Sequence, residues 1–301
     1  KKKHDKVCKQ QCDRTDIITT TRGKYMKIIS SFSGGKTSAY MTIKLKDKYG
    51  EDLIVLFANT GQENEETLDF INLCDMRYGL NVIWIEAKVH FDQPKGCTHT
   101  IVDFEEADRR AHVFENVIEK YGIPNKAYPH CTRELKLNPI KSWIRENVHE
   151  DYRMAIGIRF DESKRMSKNA ERNNLWYPLV EDPTFKMDIN EFWDRQEFNL
   201  NLQDYQGNCK TCFKKSNKKL LMIALEHPEY FDFNSRMERI FGLAGHNVDG
   251  TKRVFFRDNT STKKLLSLVN FNDEQLDIFK TLIDEDENSG CSESCEAFTE
   301  V

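Results

Sequence analysis

From residue 27 onward, short β-branched and aromatic runs alternate with segments of helical spacing, and this alternation constrains the fold more than any other feature. Lys27 to Phe32 reads as a strand, Lys36 to Tyr49 as a helix and Leu53 to Ala58 as a buried strand. Asn64 to Tyr78 has helical spacing with Leu68, Ile71 and Met76 turned inward, and Val82 to Ile85 forms a third strand. Strands separated by helices of this length are joined by crossovers and run parallel. The expected architecture is α/β: an open, mostly parallel, Rossmann-like sheet flanked by helices.

Lys88 to Thr100, which contains Pro94, Gly96 and Cys97, reads as a loop over the sheet. A helix-like segment then stops at Gly122-Ile123-Pro124. Glu134 to Asn147 follows as a helix and Tyr152 to Ile158 as a strand. Beyond Pro183 the alternation fades, which places a boundary there. The resulting plan is a polar, disordered extension over 1–25, a nucleotide-binding α/β domain over 26–183, a helical cysteine-bearing region over 184–285 and a flexible acidic tail over 286–301.

The chain has 301 residues, 39% hydrophobic and 31% charged, with no run approaching the roughly 20 apolar residues of a membrane span. A cytoplasmic location without membrane contact is expected. The net charge of −4 argues against coating nucleic acid by bulk electrostatics but leaves room for a local basic patch. Nine cysteines, an odd number without an export signal, point to metal or redox chemistry before disulfides.

Ser31-Phe32-Ser33-Gly34-Gly35-Lys36-Thr37-Ser38 joins the first strand to the first helix. Two glycines let backbone N–H groups converge on an anion, Ser33, Thr37 and Ser38 add hydroxyls, Lys36 adds charge, and the helix N-terminus adds its dipole. A Walker A loop would need glycine at position 30, where Ser30 stands. The pattern S-G-G-x-[ST]-S instead resembles the pyrophosphatase loop of the adenine-nucleotide α-hydrolase superfamily.

Further segments follow in the order seen in the phosphoadenylyl-sulfate (PAPS) reductase-like family of that superfamily. Asn59-Thr60-Gly61 with Glu65-Glu66-Thr67 resembles its strand-end segment near the nucleotide. Gly157-Ile158-Arg159 through Ser163, with Arg165, resembles its glycine–arginine segment, and Leu175 to Leu179 followed by Asp188 to Phe192 its proline–leucine stretch. The resemblance covers most of residues 27–215. It implies a site for ATP with Mg2+, or for PAPS or its unphosphorylated analogue APS, at residues 31–38, Asn59, Thr60, Gly61, Gly157 and Arg159. Lys36, Arg159 and Arg165 would then act on the anionic part of the substrate, since guanidinium forks match phosphate and sulfate oxygens.

Cys209-Lys210-Thr211-Cys212 can present two thiolates to one metal. His130-Cys131 followed by Arg133, Lys136 and Pro139 resembles the Cys-Cys segment of iron–sulfur adenylyl-sulfate reductases, with His130 in place of the first cysteine. In those relatives the pair and a later C-x-x-C hold a four-iron four-sulfur cluster. The resemblance implies three thiolate ligands, Cys131, Cys209 and Cys212, with His130, another cysteine or no protein ligand at the fourth iron. Zinc and bare thiols remain the alternatives. Lys210, Lys214, Lys215, Lys218 and Lys219 around this turn form either a polyanion-docking patch or a solvated helix face.

The Glu-Cys-Gly-Leu-His segment of assimilatory sulfonucleotide reductases has no counterpart here; the acidic tail carries Cys291 and Cys295 instead. Three functions follow. One is an ATP pyrophosphatase that adenylates a substrate for iron–sulfur-assisted sulfur transfer, with a nucleic-acid acceptor or sulfur-donor protein as partner. The second is a sulfonucleotide reductase, and the third a non-catalytic nucleotide- or nucleic-acid-binding module with structural zinc.

Overall fold

The computed structural model describes residues 26–94, 96–207, 209–245 and 250–269. The N-terminal extension with Cys8 and Cys12, and the tail with Cys291 and Cys295, lie outside the described residues. The alternation produces β1 (Met26–Ser31), α1 (Lys36–Tyr49), β2 (Leu53–Asn59), α2 (Glu65–Tyr78) and β3 (Val82–Val89) in succession. After β4 (Cys97–Val102) come α3 (His112–Tyr121), α4 (Asn138–Asn147), β5 (Asp151–Ile156) and the two-residue β6 (Leu175–Trp176). Short helices α5 (Pro178–Glu181) and α6 (Lys186–Asp194) precede α7 (Asn217–Glu226), α8 (Asp232–Phe241) and α9 (Thr262–Ser267).

The strands form one six-stranded sheet in the order β4-β3-β2-β1-β5-β6, parallel except for β4. Strands covered on both faces need apolar residues on both, hence their nearly unbroken hydrophobic runs. Ile28, Val55, Phe57 and Trp84 pack on one face with residues of α1, α2 and α6. Ile29, Leu56, Ala58, Ile85, Met154 and Ile156 pack on the other with Ile140, Trp143 and Ile144 of α4. A third cluster joins α3 to α7, α8 and α9 beside the β3–β4 edge.

The chain winds outward from β1 to β3 and then returns to β5 on β1's other side. This reversal places a topological switch point between β1 and β5, where open α/β sheets leave a crevice beyond the strand ends. The loop after β1 and the Gly157–Arg159 segment after β5 both lie there.

Two local expectations are corrected. Leu68 and Ile71 are buried, but Met76 is exposed; it stands five residues past Ile71, about 140° around the helix, and so faces away. The expected loop over 88–100 is a hairpin in which β4 pairs antiparallel with β3, from Val89 opposite Cys97 to Trp84 opposite Val102. β4 is an edge strand with Ile101 exposed, so it lacks the apolar run that marks the inner strands. Among the described residues no helix is long and apolar enough to cross a membrane.

Candidate active site

The turn after β1 is braced before any ligand arrives. Gly34 has φ +81°, and a Cβ there would lie 2.7 Å from Thr67 Cγ2 on α2, so glycine is needed for both conformation and space. The Ser33 N–H and hydroxyl both donate to Ser38 Oγ, at 3.2 and 2.9 Å, and the Ser38 hydroxyl donates to the Gly35 carbonyl at 3.0 Å. Ser31 and Phe32 are buried behind the turn, and the Phe32 ring belongs to the core. Gly35 and Lys36 line an open cleft shared with Lys186, Asn190, Gln203 and Gly207.

The end of β5 closes on this turn. A Cβ at Gly157 would meet Ser38 Cα at 3.0 Å, so the two backbones touch. Arg159 is buried, and its Nη1 donates to Thr37 Oγ1 at 3.2 Å while Asp161 and Glu162 pair with the guanidinium at 3.2 and 3.5 Å. Arg165 pairs with Glu162 at 2.6 Å, one step further out. Arg159 thus reaches the turn after β1 directly, and Arg165 is linked to it through a shared carboxylate.

The end of β2 is held by its own network. Asn59 is fully buried; its amide donates to Glu86 Oε1 at 2.6 Å and the Asp108 carbonyl at 2.9 Å, and its Oδ1 accepts the Gly61 N–H at 3.2 Å. These bonds brace the segment. Burial, the largest influence, raises the Glu86 carboxyl above its ordinary range, against the lowering effect of its hydrogen bonds. Glu63 accepts the Thr60 N–H and hydroxyl at 3.0 and 2.8 Å and the Gln62 N–H at 3.1 Å.

Thr60 and Gln62 then carry the cysteine turn. Thr60 Oγ1 lies 3.7 Å from Cys209 Sγ, and the Lys210 N–H donates to the Gln62 carbonyl at 2.8 Å. Asn64 Nδ2 donates to the Gln206 carbonyl at 2.9 Å. Gln62 and Asn64 had no signal in the sequence as site residues, because their roles depend on the backbone of Lys210 and Gln206, far along the chain.

Cys131, Cys209 and Cys212 line one cavity, walled by Phe114, Phe213, Phe233 and Leu135 and edged by Lys136 and Lys214. Cys131 enters it from the start of a π-helical turn, Thr132–Leu137, that runs into α4. Pro139 has no N–H to continue regular pairing, and the Asn138 N–H reaches back to the Arg133 carbonyl. His130 does not join the cysteines. It lines a separate cavity, its Nε2 lies 3.0 Å from the Gly122 carbonyl, and burial, the largest influence, lowers its pKa to about 4.

The expected lysine cluster is also corrected in part. Lys215 and Lys219 are buried. Lys215 Nζ donates to the carbonyls of Tyr205 and Gly207, which have no sheet or helix to pair with, and so ties down the approach to the cysteine turn. Lys214 Nζ donates to Thr132 Oγ1 at 3.4 Å and Lys210 Nζ sits 5.3 Å from the Tyr230 ring centroid.

Among the described residues no three His, Cys, Asp or Glu side chains converge closely enough to hold a single metal ion. Cys131, Cys209 and Cys212 share the lining of one cavity, and three soft thiolates match in kind and number the protein ligands that an iron–sulfur cluster takes. Cys74 and Cys97 are buried elsewhere; burial pushes both thiols up, Cys97 to about 12.

Residues 27–101 match the phosphoadenosine phosphosulfate reductase domain. Residues 27–101 are thus PAPS reductase-like. The match runs from β1 into β4, so it contains the glycine turn at residues 33–38 and stops before Cys131. The chain is also similar to "Uncharacterized nin region protein ORF290" of Escherichia phage lambda, at 29% identity across 90% of this chain and 94% of that protein. This likeness extends well past the PAPS reductase-like match. Two proteins of Methanocaldococcus jannaschii are similar over less of their length. "Uncharacterized protein MJ0973" is 29% identical over 78% of this chain and 53% of its own, and "Uncharacterized protein MJ0066" is 31% identical over 52% and 28%. The chain thus spans about half or less of these two relatives.

Proposed function

We propose that the PAPS reductase-like domain binds ATP with its phosphates on residues 33–38 and adenylates an acceptor, releasing pyrophosphate, in preparation for sulfur transfer at the cysteine cavity. One observation carries this reading. Gly207 lines the cleft beside Lys36, and Cys209, two residues further on, lines the cysteine cavity. A nucleotide on the turn and chemistry at the thiols would therefore be neighbours.

In this reading the N–H groups at the start of α1 and the Lys36 ammonium take phosphate charge, which grows on pyrophosphate as it leaves, and Mg2+ accompanies the nucleotide. Arg159, fixed by Thr37 and two carboxylates, meets the anion already oriented. Cys131, Cys209 and Cys212 would hold an iron–sulfur cluster, which when bound supplies an iron able to take an external sulfur ligand. Lys136 and Lys214 offset thiolate charge, and the phenylalanine walls keep water away.

The matched domain also supports a second reading, reduction of a sulfonucleotide held by the same residues. Product analysis separates the two. ATP turnover to AMP and pyrophosphate, without sulfite release from PAPS or APS, is the expected outcome. Sulfite release without pyrophosphate would establish the reductase, and neither product, with zinc in the protein, would establish a structural module.

A further inference from the structure

The π-helical turn separates two cavities. Cys131, Thr132, Leu135 and Lys136 face the cysteine cavity, whereas His130, Arg133, Glu134 and Asn138 face a second cavity of about 860 Å³ that the proposed chemistry does not use. Its volume falls within the range of small-molecule sites.

Three cationic side chains, Lys120, Arg133 and Arg253, line this space against one carboxylate, Glu134. That carboxylate is buried and already engaged, by Arg133 Nε at 2.7 Å and Asn138 Nδ2 at 2.9 Å. In a chain of net charge −4, such an excess of positive charge in a concave space favours an anion.

The cavity also contains a prepared aromatic surface. Tyr128 is 51% exposed, yet its loop is fixed. Asn125 Oδ1 accepts the N–H groups of Ala127 and Tyr128 at 3.0 Å each, Asn125 Nδ2 donates to the Val254 carbonyl at 3.1 Å, and the His130 N–H donates to the Tyr128 carbonyl at 2.9 Å. The Arg253 guanidinium lies 4.2 Å from the Tyr128 ring centroid. A flat ring held rigid under a planar cation extends a stack that another flat ring can join at small entropic cost.

We propose that this cavity is a second nucleotide site, with a base stacked on the Tyr128–Arg253 platform and its phosphate met by Arg133 and Lys120. The ligand is a nucleoside monophosphate unit, either free or within a single strand. The proposal concerns binding alone and stands apart from the ATP reading.

The test measures binding of the four nucleoside 5′-monophosphates and of a fluorescently labelled mixed-sequence single-stranded oligonucleotide. Each is measured in wild-type protein saturated with a non-hydrolysable ATP analogue and in Lys36→Ala protein. Binding should persist in both settings, weaken at least about tenfold in Tyr128→Ala and in Arg133→Ala, and remain near wild type in Tyr128→Phe, which keeps the ring. Tight oligonucleotide binding with weak mononucleotide binding identifies a strand as the ligand, and equal binding identifies the free nucleotide. Both positions are solvent-facing, so unchanged circular dichroism is expected. The proposal is overturned if neither probe binds, if folded Tyr128→Ala and Arg133→Ala bind as wild type does, or if the ATP analogue displaces the probes.

Discussion

Gly34 shows how strongly a single residue can govern this site. Alanine there would have to adopt φ +81° and push its methyl group to 2.7 Å from Thr67 and 2.9 Å from Ile71. Strain of both kinds should destabilise Gly34→Ala by about 1–3 kcal/mol. Chemical denaturation measures that loss, and calorimetry should show weaker ATP binding, because the turn cannot keep its N–H groups convergent. Wild-type stability and affinity would mean that the turn tolerates a side chain and that its shape does not select glycine. The loop was legible in the sequence because strand, glycines and hydroxyls are adjacent in the chain. Asn59 was not: whether an amide at a strand end faces a ligand or a neighbour depends on Glu86 and Asp108, far along the chain and brought beside it only by folding.

At the scale of elements, the cysteine site depends on two short segments, the π-helical turn after Cys131 and the turn from Gly207 to Cys212. Replacing Cys131, Cys209 or Cys212 by serine should sharply lower iron and sulfide content in anaerobically prepared protein, because a serine hydroxyl is a harder, poorer ligand for this soft site. Cys74→Ser should leave the metal content unchanged, since its thiol lies in the core away from the cavity. Iron content that survives any one of the three cavity substitutions would remove that residue from the ligand set. The sequence indicated the gathering of these three cysteines only through resemblance, as no local pattern links Cys131 to Cys209. It also left His130 open as a ligand, whereas burial and the Gly122 carbonyl hold that ring in the other cavity. β4 escaped notice for an energetic reason: an edge strand buries little, so its sequence shows no apolar period.

For the molecule as a whole, the β2–β3 strand ends contain a buried carboxyl whose ionisation opposes folding. Glu86 has a raised pKa, chiefly through burial, against an ordinary value of 4.5. Between these values the folded chain holds a proton that the unfolded chain has lost, so stability falls as pH rises through that window. Glu86→Gln keeps an acceptor at Oε1 for Asn59 and for the Asp108 N–H. Its melting temperature should therefore fall less than that of wild type as pH rises above the ordinary carboxylate value. Parallel melting curves would show that the carboxyl titrates normally in the fold.

The strand order places the glycine turn after β1 and Arg159 together at the switch point, and the proposed function rests on an adenine nucleotide binding there. The most direct measurement is calorimetric titration of wild-type and Lys36→Ala protein with a non-hydrolysable ATP analogue. Wild type should bind, and the substitution should weaken binding by about 1–3 kcal/mol through loss of a charge-assisted phosphate contact. Equal affinity in the two proteins, or no binding to either, would contradict the assignment of residues 33–38 as the nucleotide site.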